Sequence, residues 1–174
     1  HNGGDILICY TEGTITCTWS CAGGLAGYND GVIDNSYSTC AVDGQEYAGG
    51  IAGRCNYNSM TYGLIQNCYA SGAITGTSHV GGLVGMNNKS KVINCYSTGK
   101  PVGNSYTGGL CGSKSTGGSY EDTANFWDKQ TSETTTSAMG TGKTTAEMKT
   151  KSTFSGEGWN FTSPIWRLCD EGIH

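Results

Sequence analysis

The most informative stretch for the fold is Gly81-Gly82-Leu83-Val84-Gly85. A second segment follows it further along the chain, Asn94-Cys95-Tyr96-Ser97-Thr98-Gly99. Both parts recur. The first motif opens with a glycine pair, and its four copies begin at Gly23-Gly24, Gly49-Gly50, Gly81-Gly82 and Gly108-Gly109. The second motif ends in a tyrosine and contains an asparagine two positions earlier, at Asn35, Asn67 and Asn94. Self-similarity at a period of about 27 residues indicates a repeat architecture.

The spacing between the motifs indicates which architecture this is. The distance from the tyrosine to the next glycine pair is identical in three repeats and one position longer in the first, whereas the return leg varies. Glycine at this density disrupts helices, and six leucines are too few for a leucine-rich repeat. The pattern predicts an all-β, right-handed parallel β-solenoid (β-helix) of four to five rungs, with one repeat per rung and glycines at the corners.

Stacked rungs place equivalent residues in rows about 4.8 Å apart. Asn35, Asn67 and Asn94 then form one row. Cys68 and Cys95 fall in a second row with Cys9 and Ser36, and we predict that these two cysteines are buried, reduced core fillers. The chain has nine cysteines, an odd count. The better candidates for bridges are the pairs Cys17 with Cys21 and Cys40 with Cys55.

Residues 1–127 form the predicted solenoid and residues 128–174 a C-terminal cap packed on the last rung. Thr144-Thr145-Ala146-Glu147 is a capping-box pattern, which predicts one short helix over about 145–151. The four large aromatics Phe154, Trp159, Phe161 and Trp166 are expected to plug the end of the last rung. The first rung shows no such plug, so further rungs are expected upstream in the intact protein.

These repeats resemble the GLUG-motif family, most closely over Gly81 to Gly99, and the resemblance extends over residues 5 to 127. The tail from Asn125-Phe126-Trp127-Asp128 to Gly158-Trp159-Asn160-Phe161 is similar to the sequence that commonly closes arrays of this family. The resemblance implies a secreted or surface-anchored bacterial protein. Adhesin-like chains and immunoglobulin-A-cleaving metallopeptidases carry such repeats, in the latter case beside the catalytic domain.

Composition argues against several classes of function. The net charge is −4 and only two arginines are present, so the chain lacks the basic stripe of a nucleic-acid binder. No apolar run is long enough for a membrane span. Gly142-Lys143-Thr144 lacks the glycine that a phosphate loop needs five positions earlier, where Ser137 stands. The carboxylates are scattered and His79 is the only internal histidine, so we expect no catalytic site, no metal site and no cofactor.

One row is a candidate ligand-binding site. Cys21, Tyr47, His79 and Tyr106 each stand two positions before a glycine pair. If this row faces outward, its rings line up along one side of the solenoid and suit stacking against sugars or contact with a protein partner. The row could equally point inward or be ordinary surface.

Three functions therefore remain open. The first is a non-catalytic extracellular module for adhesion or display, within a larger bacterial surface protein. The second is an accessory region of a surface peptidase whose catalytic domain lies outside this chain. The third is a carbohydrate-binding β-helix. The expected partners are a host or cell-surface protein or glycan and upstream domains of the same polypeptide, and the expected location is extracellular or on the bacterial cell surface.

Overall fold

Each sequence repeat folds into one coil of five short strands, as seen in a computed structural model. The structure describes residues 1–56, 63–116, 121–162, 165–166, 168–169 and 172–173. Most of the insertion after Asn56 and part of that after Ser115 lie outside the described residues. Four coils are complete and a fifth is partial.

The strands follow one another in the same order in every rung. The first rung comprises β1 (Asp5–Leu7), β2 (Tyr10–Thr11), β3 (Thr14–Thr16), β4 (Cys21–Gly23) and β5 (Ala26–Asn29). The second comprises β6 (Val32–Asp34), β7 (Tyr37–Ser38), β8 (Ala41–Asp43), β9 (Tyr47–Gly49) and β10 (Ala52–Asn56). The third comprises β11 (Leu64–Gln66), β12 (Tyr69–Ala70), β13 (Ile74–Thr75), β14 (Ser78–Gly81) and β15 (Val84–Asn88). The fourth comprises β16 (Lys91–Ile93), β17 (Tyr96–Ser97), β18 (Pro101–Val102), β19 (Ser105–Gly108) and β20 (Cys111–Lys114). The fifth has β21 (Glu121–Thr123) and β22 (Phe126–Asp128), and β23 (Thr141–Lys143) pairs with β22.

Equivalent strands pair in parallel to form five sheets that run along the solenoid. One sheet has the order β1-β6-β11-β16-β21, and the other four follow the same succession of rungs. The register is the one expected from the repeats, since Tyr69 pairs with Tyr37 on one side and with Tyr96 on the other. The predicted parallel β-solenoid of four to five rungs is therefore confirmed.

Asparagines, not glycines, turn the chain at the corner before Tyr37, Tyr69 and Tyr96. Asn35, Asn67 and Asn94 have φ values of 48°, 50° and 51°, in the left-handed region that asparagine tolerates better than most residues. Their side chains also bond from rung to rung: the Asn67 amide donates to Asp34 Oδ1 at 3.0 Å, and the Asn94 amide donates to Asn67 Oδ1 at 3.4 Å. The asparagine row thus both permits the corner and links successive rungs.

The sequence suggested that the glycine pairs form corners, but their role in the structure is a different one. None of them has a positive φ. They are glycines because the chain has no room for a side chain there. A Cβ on Gly81 would lie 1.9 Å from the Val84 carbonyl oxygen, and one on Gly82 would lie 2.0 Å from Ser97 Oγ and 2.2 Å from the Gly109 carbonyl oxygen. The pairs therefore mark close approach of the backbone inside the coil.

The interior is filled mainly by aliphatic side chains and thiols. Cys68 and Cys95 are fully buried in its main cluster, and their thiols donate to the carbonyls of Gln66 and Ile93 at 3.0 and 3.1 Å. Asn125 occupies the next position of this row, where its side-chain oxygen accepts from the Cys95 amide at 2.9 Å. Each thiol thus lies against a carbonyl of its own rung.

No disulfide occurs among the eight cysteines whose side chains the structure describes. The expected bridge between Cys40 and Cys55 is wrong, because Cys40 packs in a second core cluster with Val42 and Ile74 whereas Cys55 packs in the main one. The expected bridge between Cys17 and Cys21, both of them described, does not form either. The Cys17 thiol instead lies 3.7 Å from the Cys21 carbonyl oxygen.

The C-terminal segment contains two short helices, α1 (Thr145–Met148) and α2 (Lys151–Ser155), instead of the single helix expected. The capping box at Thr144 and Glu147 forms as its sequence predicts. The helix nevertheless ends early because Thr150 is extended, with φ −106° and ψ 118°, and its hydroxyl donates to the Ala146 carbonyl at 2.9 Å. A short antiparallel pair, β24 (Leu168–Cys169) with β25 (Gly172–Ile173), follows near the end of the chain.

The segment closes the solenoid in two places. Trp127 and Met139 pack on the main core cluster and close its last rung. The four aromatics of the segment were expected at that end, but Phe154, Trp159 and Trp166 lie beside the rungs, where they cover Tyr96 and Phe126. Phe161 packs against the same cluster and is partly buried. Neither described helix has the length and apolar composition of a membrane span.

Candidate ligand-binding face

Tyr47, His79 and Tyr106 form an outward strip, the name we use for these three residues. They stand at equivalent positions at the start of β9, in β14 and in β19, and the residues after Tyr47 and His79 are fully buried. Tyr47 and His79 are half-buried, and Tyr106 is 63% exposed. Of the two orientations that the sequence left open, the outward one is present.

The rings of the strip stack on one another. The ring centroids of Tyr47 and His79 lie 4.9 Å apart and those of His79 and Tyr106 lie 4.6 Å apart, with interplanar angles of 29° and 1°. Cys21 continues the row without a ring. Because each inner ring face is covered by its neighbour, the strip presents ring edges, hydroxyl groups and the imidazole. Flat stacking of a ligand, which the sequence suggested for the whole row, is therefore blocked at the ring faces between neighbours.

His79 is held by hydrogen bonding and by its backbone. Its Nδ1 lies 2.6 Å from Ser113 Oγ, and its φ of 52° displaces it from the regular strand path, as does the φ of 51° at Tyr106. Burial lowers the pKa of His79 below its ordinary 6.5, the neighbouring Glu46 opposes this shift and Arg54 reinforces it. The neutral imidazole is therefore favoured in the folded chain.

Arg54 lies beside the strip on the next sheet, and the sequence analysis did not single it out. Its guanidinium carbon lies 5.4 Å from the centroid of the Tyr47 ring and 5.8 Å from that of Tyr28. Its Nε donates to Asn56 Oδ1 at 3.2 Å. A signal for this site was present: Tyr28 and Arg54 each directly follow the last glycine of a pentapeptide, so they share a row.

Glu46 is the acidic group of this face. Burial, together with the neighbouring Glu46 carboxylate, raises the pKa of the Tyr47 hydroxyl. No ion pair joins Glu46 to Arg54 in the part of the chain that the structure describes. Glu46 and Arg54 therefore both act on Tyr47 and form no ion pair with each other among the described residues.

A second row of rings is the tyrosine ladder, consisting of Tyr10, Tyr37, Tyr69 and Tyr96. Its successive centroids lie 5.3, 4.8 and 5.0 Å apart. The aromatic residues of the C-terminal segment bury its Tyr96 end, and this burial raises the pKa of Tyr96 well above its usual range. Its other end is open, because Tyr10 is 62% exposed. The Tyr96 end of the tyrosine ladder is therefore a surface on which the cap packs.

A cavity of about 140 Å³ lies where the cap meets the fifth rung. Asp122 and Glu157 line it, but both oxygens of Asp122 already accept hydrogen bonds, from the Asn125 amide at 2.9 Å and from the Gly140 amide at 3.0 Å. Across the described ranges, no group of three or more histidine, cysteine or carboxylate side chains is placed to hold a metal ion. This cavity is part of the cap's packing.

Comparison with known proteins relates the chain to one motif and one solved structure. The model of the GLUG motif matches residues 76–100. The crystal structure of a putative immunoglobulin A1 protease from Bacteroides ovatus is similar over 97% of this chain, with 27% identity and a TM-score of 0.70. The match spans 56% of that structure's chain. The sequence matches none of the curated proteins. This chain thus carries the GLUG motif on a parallel β-solenoid, and the predicted resemblance to the GLUG-motif family is confirmed at residues 76–100, which include the pentapeptide that begins at Gly81.

Proposed function

We propose that this chain is a non-catalytic extracellular module of a larger bacterial surface protein, and that it attaches to a host or cell-surface partner through the outward strip. The observation that carries the proposal is the ordered row of ring edges beside Arg54. Three rungs align two tyrosines and a histidine on the open surface, where they add nothing to the core. Tyrosine, histidine and arginine provide both contact area and hydrogen bonds, which suits recognition.

The absence of catalysis is part of the proposal. The carboxylates are scattered along the sequence, and the strip contains neither an acid–base pair nor a nucleophile. Incubation with protein and polysaccharide substrates should give no turnover. Turnover that a single carboxylate substitution abolishes would contradict this part.

The attachment role is tested by coating beads with the chain and counting the beads that bind to epithelial cells and to immobilised secreted glycoproteins. Tyr106→Ser should reduce binding at least tenfold. Tyr10→Ser is the matched control, because Tyr10 is also the exposed end of a ring row, at 62% exposure against 63%. Equal binding of the wild type and both variants would refute the role of the strip.

The second candidate function is that of an accessory region of a surface peptidase, which the likeness to the Bacteroides ovatus protein favours. On this hypothesis the solenoid holds the substrate of a catalytic domain that lies outside the chain. Binding of immobilised chain to immunoglobulin A1, measured by surface plasmon resonance, tests it. Binding that depends on Tyr106 but not on Tyr10 supports the accessory role, and no binding at micromolar concentrations excludes this substrate.

A further inference from the structure

Within the described residues, Arg54 is a cation without an anion. Its guanidinium makes one hydrogen bond there, through Nε, and no ion pair. The two terminal nitrogens have no partner among the same residues, although the side chain is half-buried. An arginine that is held in place and partly desolvated offers its charge to a ligand at less cost than a freely moving one.

The neighbours of Arg54 hold its guanidinium in one orientation. Tyr28 and Tyr47 lie within cation–π distance, at 5.8 and 5.4 Å from the guanidinium carbon to their ring centroids. Asn56 holds the Nε edge. The remaining edge of the fork matches a carboxylate, which accepts two parallel hydrogen bonds from it. Glu46 does not supply this carboxylate, because no ion pair joins it to Arg54 among the described residues.

The outward strip continues from this point along the solenoid. Tyr47, His79 and Tyr106 succeed each other at one rung spacing, so the row extends for about 10 Å. The middle of the row offers polar groups at ring edges, and Tyr106, which is 63% exposed, offers ring surface to a sugar. A flat, open row with a charge at one end suits a chain-like ligand that lies along it.

We propose that Arg54 and the outward strip bind a glycan that carries carboxylates, of the uronic or sialic acid type. The carboxylate contacts Arg54, and the neighbouring sugars contact His79 and Tyr106. An acidic peptide fits less well, because an extended peptide gains most of its affinity at a free sheet edge. Here the backbone groups of the inner rungs are paired on both sides. The inference rests on the proposed function, since it names the partner of the same face.

Titration calorimetry in 150 mM salt tests the inference with two acidic probes, hexagalacturonate and 3′-sialyllactose. The neutral counterparts are methyl-esterified hexagalacturonate and lactose. We expect at least one acidic probe to bind at least tenfold more tightly than its neutral counterpart. Arg54→Gln should reduce that affinity at least tenfold, and Arg54→Lys should recover only part of it, because lysine lacks the planar fork.

Glu46→Gln gives a test of opposite sign. Removing this carboxylate removes repulsion, so the affinity for the acidic probe should rise severalfold. Lys91→Gln, which removes a cation on another sheet that pairs with Glu121 at 3.3 Å, is the control and should leave the affinity unchanged. Circular dichroism checks that every variant keeps the solenoid.

Three results would overturn the inference: neither acidic probe binds at millimolar concentration, the neutral counterparts bind equally, or Arg54→Gln has no effect. Binding of polyglutamate in preference to both acidic glycans would also overturn it, in favour of an acidic peptide. The proposed function is judged separately by the bead assay. If Tyr106→Ser still reduces attachment while the acidic glycans do not bind, the attachment role stands and only the ligand class fails.

Discussion

Replacing Gly82 by alanine tests the physical reason for the glycine pairs. The new Cβ would lie 2.0 Å from Ser97 Oγ and 2.2 Å from the Gly109 carbonyl oxygen, whereas ordinary contact begins at 3.4 Å. Ser97 can move its hydroxyl, but the carbonyl belongs to the next rung and would have to move by more than an ångström. Overpacking of a tight interior costs about 1–3 kcal/mol. Because the obstacle here is backbone, we expect a loss of about 3 kcal/mol in the free energy of unfolding.

The measurement is urea unfolding, followed by tryptophan fluorescence and by circular dichroism. Gly4→Ala is the matched control, because a Cβ there meets nothing within 4 Å and the glycine has no positive φ. It should change the stability by less than about 0.5 kcal/mol. If Gly82→Ala unfolds at the same urea concentration as Gly4→Ala and the wild type, the close-approach argument is wrong and the pair needs another explanation.

Three further outcomes follow from other buried or strained positions. Cys68 and Cys95 should react with a thiol reagent at pH 8 only after unfolding and without prior reduction, since burial raises the pKa of Cys68 well above its ordinary 9.0. In urea unfolding, Cys68→Ala should lower the free energy of unfolding by about 1–2 kcal/mol, and Cys68→Leu should lower it by more. Asn67→Gly should be more stable than Asn67→Ala by about 1 kcal/mol, because only glycine adopts φ 50° without strain, and the reverse order would contradict the corner argument. Because the pKa of His79 is lowered in the folded chain, His79 of the unfolded chain binds a proton more readily as the pH falls below 6.5. The melting temperature should therefore drop more between pH 7.5 and 5.5 in the wild type than in His79→Gln. Equal drops would contradict this role of His79.

The repeat register could be read from the sequence because it depends on spacing. The leg from the tyrosine to the next glycine pair has the same length in three rungs, and in a parallel stack equal legs put Tyr37, Tyr69 and Tyr96 directly above one another. The capping box at Thr144 was predictable for the same reason, since it is a local pattern with a local hydrogen bond. Such features need no knowledge of the distant parts of the chain.

What the sequence left undetermined depends on close approach in three dimensions. The glycine pairs looked like corners because glycine serves both turns and crowded contacts, and only the position of Ser97 against Gly82 separates the two roles. Cys40 and Cys55 looked close because both lie near loops, but they face different parts of the core. Arg54 escaped notice because its importance comes from its contact with a tyrosine on the neighbouring sheet, which the row containing Arg54 does not reveal.

The separation between interchangeable rungs and a single closing segment has a genetic consequence. Trp127, Met139 and the two helices occur once, in the fifth rung or after it, whereas the third and fourth rungs begin at Leu64 and Lys91 and repeat each other strand by strand. Duplication of one such unit in the gene lengthens the solenoid by one coil and leaves its terminal cover unchanged. Each duplication also adds one member to the outward strip. Unequal recombination between repeats can therefore change the number of residues in the outward strip one at a time, while the fold stays the same.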